Sequence, residues 1–268
     1  MSRPFFLFAT AALLAAGPSL SAETAAWVEE VPFITTPDHV TLAMLELAEV
    51  GAADHLVDLG SGDGRIVITA ARRFGASGLG LEIVPDLVAR SEASARQAGV
   101  ADRVQFRVQD LFEADLSKAS VITMYLLPEV NLRLRPRILA LAPGTRIVSH
   151  DWDMGEWEPD RTITLPVPDK AVGREKSSRL HLWRVPAPVQ GRWCAGPTKL
   201  EMTQRFQTYQ ARLSVGGRDH AWSGRLQGAA LLPAVDAGYR PRLAWREGTL
   251  QVEAGAPGLP TGTRLTAC

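Results

Sequence analysis

The chain has 268 residues, 46% of them hydrophobic and 22% charged, the proportions of an ordinary globular protein with room for one large domain or two modest ones. Lys+Arg and Asp+Glu both total 29, so the net charge is zero, and a general electrostatic attraction to nucleic acid or anionic membrane is not indicated. There is no long like-charge tail, low-complexity tract or internal repeat.

Residues 1–22 read as an address. One basic residue, Arg3, precedes an apolar run from Phe5 to Ala16; Gly17 and Pro18 break it, and small residues follow through Ala22. That is the order of a cleavable secretory signal, and the run is shorter than the ~20 residues of a spanning helix. The expectation is a periplasmic or secreted protein without a stable membrane span, an uncleaved N-terminal anchor being the alternative. No twin arginine is present, which implies export of the unfolded chain.

Strands and helices then alternate. Asp38 to Glu49 carries apolar groups at helical spacing, with Asp38 available as N-cap. Leu56–Leu59 is a short buried strand, Ile66–Phe74 a helix stopped by Gly75, and Leu79–Glu82 a second strand. Pro85 opens a helix that ends near Gly99. Val104–Val108 and Ser120–Leu126 read as strands, and Glu129–Leu141 as a helix that Pro136 is expected to kink. Arg146–Ser149 is a fifth strand, and Thr162–Val167 and Leu180–Val185 are two more, separated by a charged loop. This alternation predicts an α/β fold, a Rossmann-like, mostly parallel sheet with helices on both faces, over residues 23–187.

The pattern changes beyond Pro186-Ala187-Pro188. Leu200, Met202, Gln204 and Phe206 share one parity, while Tyr209, Ala211, Leu213 and Val215 take the other, which suggests a bulge. Gly216-Gly217 and Glu247-Gly248 are turn signals between strand-like runs. A small all-β domain, a barrel or sandwich, is expected over residues 188–268 behind a Pro-rich linker.

The glycine loop carries the chemistry. In Gly60-Ser61-Gly62-Asp63-Gly64 the place of the third glycine of a dinucleotide fingerprint holds Arg65, and no Gly-Lys-Ser/Thr follows to make a Walker loop. Asp58 lies inside the preceding strand, and with Asp63 it would repel a pyrophosphate while suiting a cationic amine. Glu82, at the end of the second strand, can accept hydrogen bonds from both hydroxyls of a ribose. Asp110, after the third, can accept from an adenine amino group, with Leu111 and Phe112 as apolar flanks. An amino acid, a ribose and an adenine across three successive strand ends describe S-adenosylmethionine.

At these residues the chain resembles the class I methyltransferases. Val31-Pro32-Phe33-Ile34-Thr35-Thr36-Pro37 and Asp58-Leu59-Gly60-Ser61-Gly62-Asp63-Gly64-Arg65-Ile66 look like the mitochondrial lysine methyltransferases of the ATP synthase c-subunit and the adenine nucleotide translocase. Tyr125-Leu126-Leu127-Pro128-Glu129-Val130-Asn131 and Ser149-His150-Asp151 look like their bacterial relatives. The resemblance spans roughly Val31 to Asp160 and implies the fold, the cofactor and methyl transfer. It also places Thr36 over the methionine end of the cofactor.

Methyl transfer to lysine requires a deprotonated amine, since the unperturbed pKa of ~10.4 keeps it charged at neutral pH. Tyr125 and Asn131, just after the fourth strand, are the candidates for handling the acceptor; for Tyr125 a packed aromatic with a satisfied hydroxyl is the alternative, and for Asn131 a residue that only helps start or solvate the helix. Asp63, Arg65 and Thr35 read equally well as ordinary loop and turn residues. His150-Asp151-Trp152-Asp153 reads as the rim of the substrate mouth rather than a metal site, because no second ligand cluster accompanies it. The expected function is S-adenosylmethionine-dependent N-methylation of protein lysine. A small-molecule acceptor, or a non-catalytic cofactor-binding protein of the cell envelope, is the alternative. The chain's two cysteines, Cys194 and Cys268, frame the β domain, and a disulfide between them is expected in an exported chain.

Overall fold

The computed structural model describes residues 34–171, 175–235 and 238–268. The expected signal segment and Val31–Phe33 of the front motif lie outside the described residues.

Five parallel strands form the body of a sheet: β1 (His55–Leu59), β2 (Ser77–Glu82), β3 (Val104–Val108), β4 (Val121–Met124) and β5 (Arg146–His150). β6 (Arg161–Pro166) and β7 (Ser177–Arg184) complete it, both pairings of β7 being antiparallel, in the order β3-β2-β1-β4-β5-β7-β6. The central strands β1, β4 and β5 are buried on both faces, and consecutive residues divide between two cores. Leu56, Val104, Val121 and Val148 face α1 (Asp38–Leu47), α2 (Arg65–Phe74) and α3 (Pro85–Gln97), which contribute Met44, Val67 and Val88. Val57, Leu59, Ile122 and Ile147 face the other way, against Leu134 and Ile138 of α4 (Pro128–Leu139), Leu116 and Trp157.

Asp38 is not the N-cap of α1. Pro37 holds that position with an extended backbone, and its carbonyl accepts the first helical bond, from the Thr41 N–H at 2.8 Å. Asp38 therefore sits in the first turn, where its charge complements the helix dipole without capping it. α4 begins at Pro128 and runs through Pro136 to Leu139. Gly75 ends α2 in the left-handed region, as the sequence implies.

After β3 the chain returns to the other side of β1 to form β4, so the crevice at the carboxyl ends of β1 and β4 is the switch point where such sheets bind ligands.

The C-terminal strands are β8 (Gly191–Ala195), β9 (Thr198–Arg205), β10 (Thr208–Val215), β11 (Arg218–Gln227), β12 (Ala230–Pro233), β13 (Arg242–Arg246), β14 (Thr249–Ala254) and β15 (Arg264–Ala267). They close into an antiparallel barrel around Trp193, Leu200, Leu213, Trp222, Leu250 and Leu265. Where the sequence suggested a bulge there is a tight hairpin. Arg205 pairs with Thr208 across Phe206-Gln207, and Phe206 has φ 51°. Across this two-residue turn Gln204 pairs with Tyr209, which switches the parity without any bulge; a ladder irregularity of the barrel lies at Arg242/Leu243. The barrel closes where β15 pairs with β8, and beside this seam Cys194 and Cys268 form the expected disulfide, their Cα atoms 5.7 Å apart.

Candidate active site

The glycine loop is folded against the end of β2. The Gly60 and Ser61 amides both donate to the Leu81 carbonyl at 2.9 Å, and the Gly62 amide donates to Glu82 Oε2 at 2.9 Å. Gly60, Gly62 and Gly64 all have positive φ, which accounts for their spacing. At Gly64 a Cβ would also lie 2.7 Å from the Phe106 ring and 2.8 Å from Ser91 Cβ, so the loop can pass between β3 and α3 only as glycine. Asp63 and Arg65 are more than solvated loop residues. Their side chains pair at 2.6 Å, and Arg65 Nη1 donates to the Thr36 carbonyl at 2.9 Å, strapping the 34–37 segment to the loop.

Asp58 is buried in β1 and accepts a 2.7 Å bond from Thr123 Oγ1 of β4. Its pKa is pushed up to about 7, first by burial and then by the Glu82 and Asp63 charges, with the Thr123 bond working in the opposite direction. Such a carboxylate is stabilised in its charged form by a cationic ligand. Nearby, the buried Ser61 Oγ has no hydrogen-bond partner. Glu82 is mostly engaged by backbone: Oε1 accepts from the Ile83 and Val84 amides at 2.8 and 3.0 Å, while Oε2 accepts from Gly62. Of roughly four acceptor sites on a carboxylate, three are taken. Oε2 thus keeps one acceptor site open.

The next strand end follows directly. The Gln109 amide donates to the Glu82 carbonyl at 2.9 Å, and exposed Asp110 forms a turn by accepting from the Phe112 amide at 2.8 Å. Leu111 and Phe112 are half-buried. Ile83 is 67% and Val108 53% exposed, two apolar side chains uncovered near the chain positions of Glu82 and Asp110. Aliphatic surface flanked by acceptors fits a heteroaromatic ring with an amino group. The buried acid, the partnerless Ser61 hydroxyl and this apolar rim together fit S-adenosylmethionine. A cavity of about 710 Å³ lies instead on the outer side of α2, among Leu42, Thr69, Arg72 and Gln97. It touches the glycine loop only at Asp63 and Arg65 and holds neither Asp58 nor Glu82, so we place the site at the strand ends.

Beyond β4 the polar groups converge on Asp151. The Tyr125 ring stacks on His150 with centroids 3.9 Å apart, and its hydroxyl donates to Asp151 Oδ2 at 3.3 Å. Burial and then the Asp151 charge push the Tyr125 pKa up to about 12, so this phenol stays protonated and acts as a donor rather than a base. His150 is held between Thr36 Oγ1 at 3.2 Å and Ser178 Oγ at 2.8 Å, and burial takes its pKa down to about 4. It is a neutral platform under Tyr125. For Asp151, burial opposes ionisation, but the Lys170 hydrogen bond and the other donors outweigh it, so the carboxyl stays below its usual range.

Asn131 does not reach this space. It is fully buried in the first turn of α4, and its Nδ2 donates to Ser149 Oγ and to the Trp152 and Asp153 carbonyls at 3.2–3.3 Å. Through Nδ2 it positions the loop after β5, while its buried Oδ1 has no hydrogen-bond partner. Thr36 likewise contributes by orienting His150 and by its carbonyl bond to Arg65. The sequence reading missed Thr123, Ser178 and Lys170. Thr123 alone had a signal, a hydroxyl facing an in-strand acid from the neighbouring strand.

Comparison with known proteins agrees with this geometry. The family model of the ANTKMT methyltransferase domain matches residues 58–161. A protein-lysine N-methyltransferase of Saccharolobus islandicus is 41% identical over 141 residues, covering 52% of this chain and 88% of that protein. The mouse lysine N-methyltransferase of the ATP synthase c-subunit is 36% identical over 108 residues, 40% of this chain and 43% of that protein, so the chain spans less than half of this longer relative. A solved structure described as an RNA methyltransferase of Salinibacter ruber, in complex with S-adenosyl-L-homocysteine, is 52% identical, with a TM-score of 0.53 over 58% of this chain and 96% of that one. The glycine loop, Asp58, Glu82 and the Tyr125–Asp151 pair all lie within the match to the ANTKMT methyltransferase domain, and the chain belongs to the same family of S-adenosylmethionine-dependent methyltransferases as the Saccharolobus islandicus protein-lysine N-methyltransferase.

Proposed function

We propose that this methyltransferase modifies the ε-amine of lysine in proteins of an oxidising compartment, the periplasm or the exterior. The observation that carries the reading is the Tyr125–Asp151 pair, an acid and an oriented phenol beyond the β4 end of the cofactor site.

S-adenosylmethionine supplies a methyl group on a sulfonium, already a good electrophile, so the protein chiefly has to align a nitrogen lone pair and exclude water. Asp58 balances the cationic amino-acid end and Glu82 fixes the ribose. On the acceptor side Asp151 Oδ2 takes a hydrogen bond from the incoming ammonium, and Tyr125 keeps that oxygen aimed. With its pKa held low, Asp151 orients the nitrogen but does not retain the proton, which passes to water before transfer. Asn131 holds the loop that presents Asp151.

RNA is the second reading, favoured by the description of the 52% identical structure. The zero net charge and the acids Asp151 and Asp153 at the mouth argue against a polyanionic acceptor. The Cys194–Cys268 disulfide and the apolar run at Phe5–Ala16 support the compartment. The test is a competition in which purified enzyme and methyl-labelled cofactor meet envelope protein and total RNA together. Label in methyllysine is expected; label confined to RNA or to small molecules overturns the proposal.

A further inference from the structure

Lys170 lies between β6 and β7, in a turn closed by its amide donating to the Val167 carbonyl at 3.1 Å. Lysine ammonium groups normally stay in water, yet this side chain is only 14% exposed and is turned inward. Its Nζ lies 2.7 Å from Asp151 Oδ2 and donates to the Ser177 carbonyl at 2.6 Å. The same Oδ2 accepts the Tyr125 hydroxyl.

Asp151 is built to present that oxygen. It has φ 65°, in the left-handed region that a non-glycine residue enters at a cost. Two bonds to β7 hold it there: its amide donates to the Arg179 carbonyl at 2.7 Å, and its Oδ1 accepts from the Arg179 amide at 3.0 Å. One carboxylate oxygen is thus spent on the scaffold, and the other faces a primary ammonium and a phenol. The family match ends at residue 161, before this lysine.

We propose that Asp151 Oδ2 and the Ser177 carbonyl form a subsite for a primary ammonium, which Lys170 fills in the free enzyme and an acceptor lysine must take over. This rests on the reading of protein lysine as acceptor. Lys170 is an internal competitor that lowers the affinity for any lysine not well anchored elsewhere.

The test uses the full chain and two readouts. The first is calorimetric binding of n-butylamine, as its ammonium ion, to wild type and Lys170→Met. The second is initial rates with a lysine-containing peptide at saturating cofactor. Lys170→Met should bind n-butylammonium about three- to tenfold more tightly than wild type, the factor expected from freeing an ion pair partly shielded from water. The KM for the peptide should fall by the same factor. Lys170→Arg keeps the pairing and should behave as wild type, and Asp151→Asn added to Lys170→Met should abolish the gain. Equal n-butylammonium binding by wild type and Lys170→Met, or a gain that survives Asp151→Asn, overturns the proposal. If Lys170→Met gains ammonium binding but no peptide is methylated, the subsite stands and the lysine reading falls.

Discussion

Trp157 and Phe206 stack with ring centroids 6.2 Å apart and planes inclined by 16°, joining the loop after β5 to the β9–β10 hairpin of the barrel. Gln207 adds a 2.7 Å bond from its Nε2 to the Glu158 carbonyl, and Arg135 of α4 lies over the Phe206 ring at 5.6 Å. Trp157 is itself fully buried against Trp183, whose Nε1 donates to the Trp157 carbonyl at 2.7 Å. The barrel thus braces the stretch that runs from Asp151 at the acceptor mouth to Asp160.

Replacing Phe206 by Ala removes this brace. Because the ring is half-buried, the expected loss of stability is ~1–3 kcal/mol, below that of a core aromatic, and urea unfolding measures it. Methylation should become less efficient while cofactor affinity is unchanged, because the strand ends of β1 to β3 lie on the far side of the sheet order from the barrel contacts.

Asp58 makes the free enzyme pH-sensitive. Its folded pKa of about 7 exceeds the ordinary 3.8, so the protein binds more protons folded than unfolded between these values. Its contribution is fully present below pH ~4 and is lost as pH rises through ~7, a swing on the order of 4 kcal/mol. Asp58→Asn should flatten that slope in thermal melts of the cofactor-free protein. Cofactor affinity should run the other way in wild type, rising between pH 5 and 7 as Asp58 ionises beside Glu82 and Asp63 to meet the cationic ligand. An affinity flat over this range would show that Asp58 does not sense the ligand's charge.

The glycine loop, Asp58, Glu82 and Asp110 were legible because each lies in or just after an apolar run and their order along the chain is their order across the sheet. On the acceptor side Tyr125 and the His150-Asp151 rim were legible, but Ser178 and Lys170 were not: they come from β7 and the loop before it, and no local pattern announces that an antiparallel strand brings them to His150 and Asp151. The role of Asn131 in holding the loop after β5 was not legible either, because its bonds go to carbonyls 21 and 22 residues further along the chain. The parity switch at Phe206 misled because a two-residue turn and a bulge shift an alternating pattern alike.

Tyr125→Phe keeps the stack on His150 and removes only the bond to Asp151. The methylation rate should fall about tenfold, the effect of losing ~1.4 kcal/mol of orientation. S-adenosylhomocysteine affinity should stay within twofold of wild type, about 0.4 kcal/mol. Steady-state rates with calorimetry on the same preparations separate the two, and an unaltered rate would return Tyr125 to a packing role.

Cys268→Ser opens the crosslink beside the barrel seam. The bridge spans a sequence separation of 74, for which chain entropy gives ~4 kcal/mol, often less in practice. Cooperative unfolding should move to lower denaturant, and wild type treated with reductant should follow it. Intact mass with and without alkylation checks the bond itself; two free thiols in protein from the envelope fraction would undo the compartment proposed above.

The placement of the cofactor at the strand ends underlies every step of this account, and calorimetric titration of S-adenosylhomocysteine into wild type and Glu82→Ala tests it most directly. Removing the carboxylate leaves a ribose hydroxyl without its acceptor, so affinity should fall by ~1–3 kcal/mol, about five- to 150-fold, in a variant that still melts cooperatively. Unchanged affinity for Glu82→Ala would place the cofactor elsewhere and contradict the account.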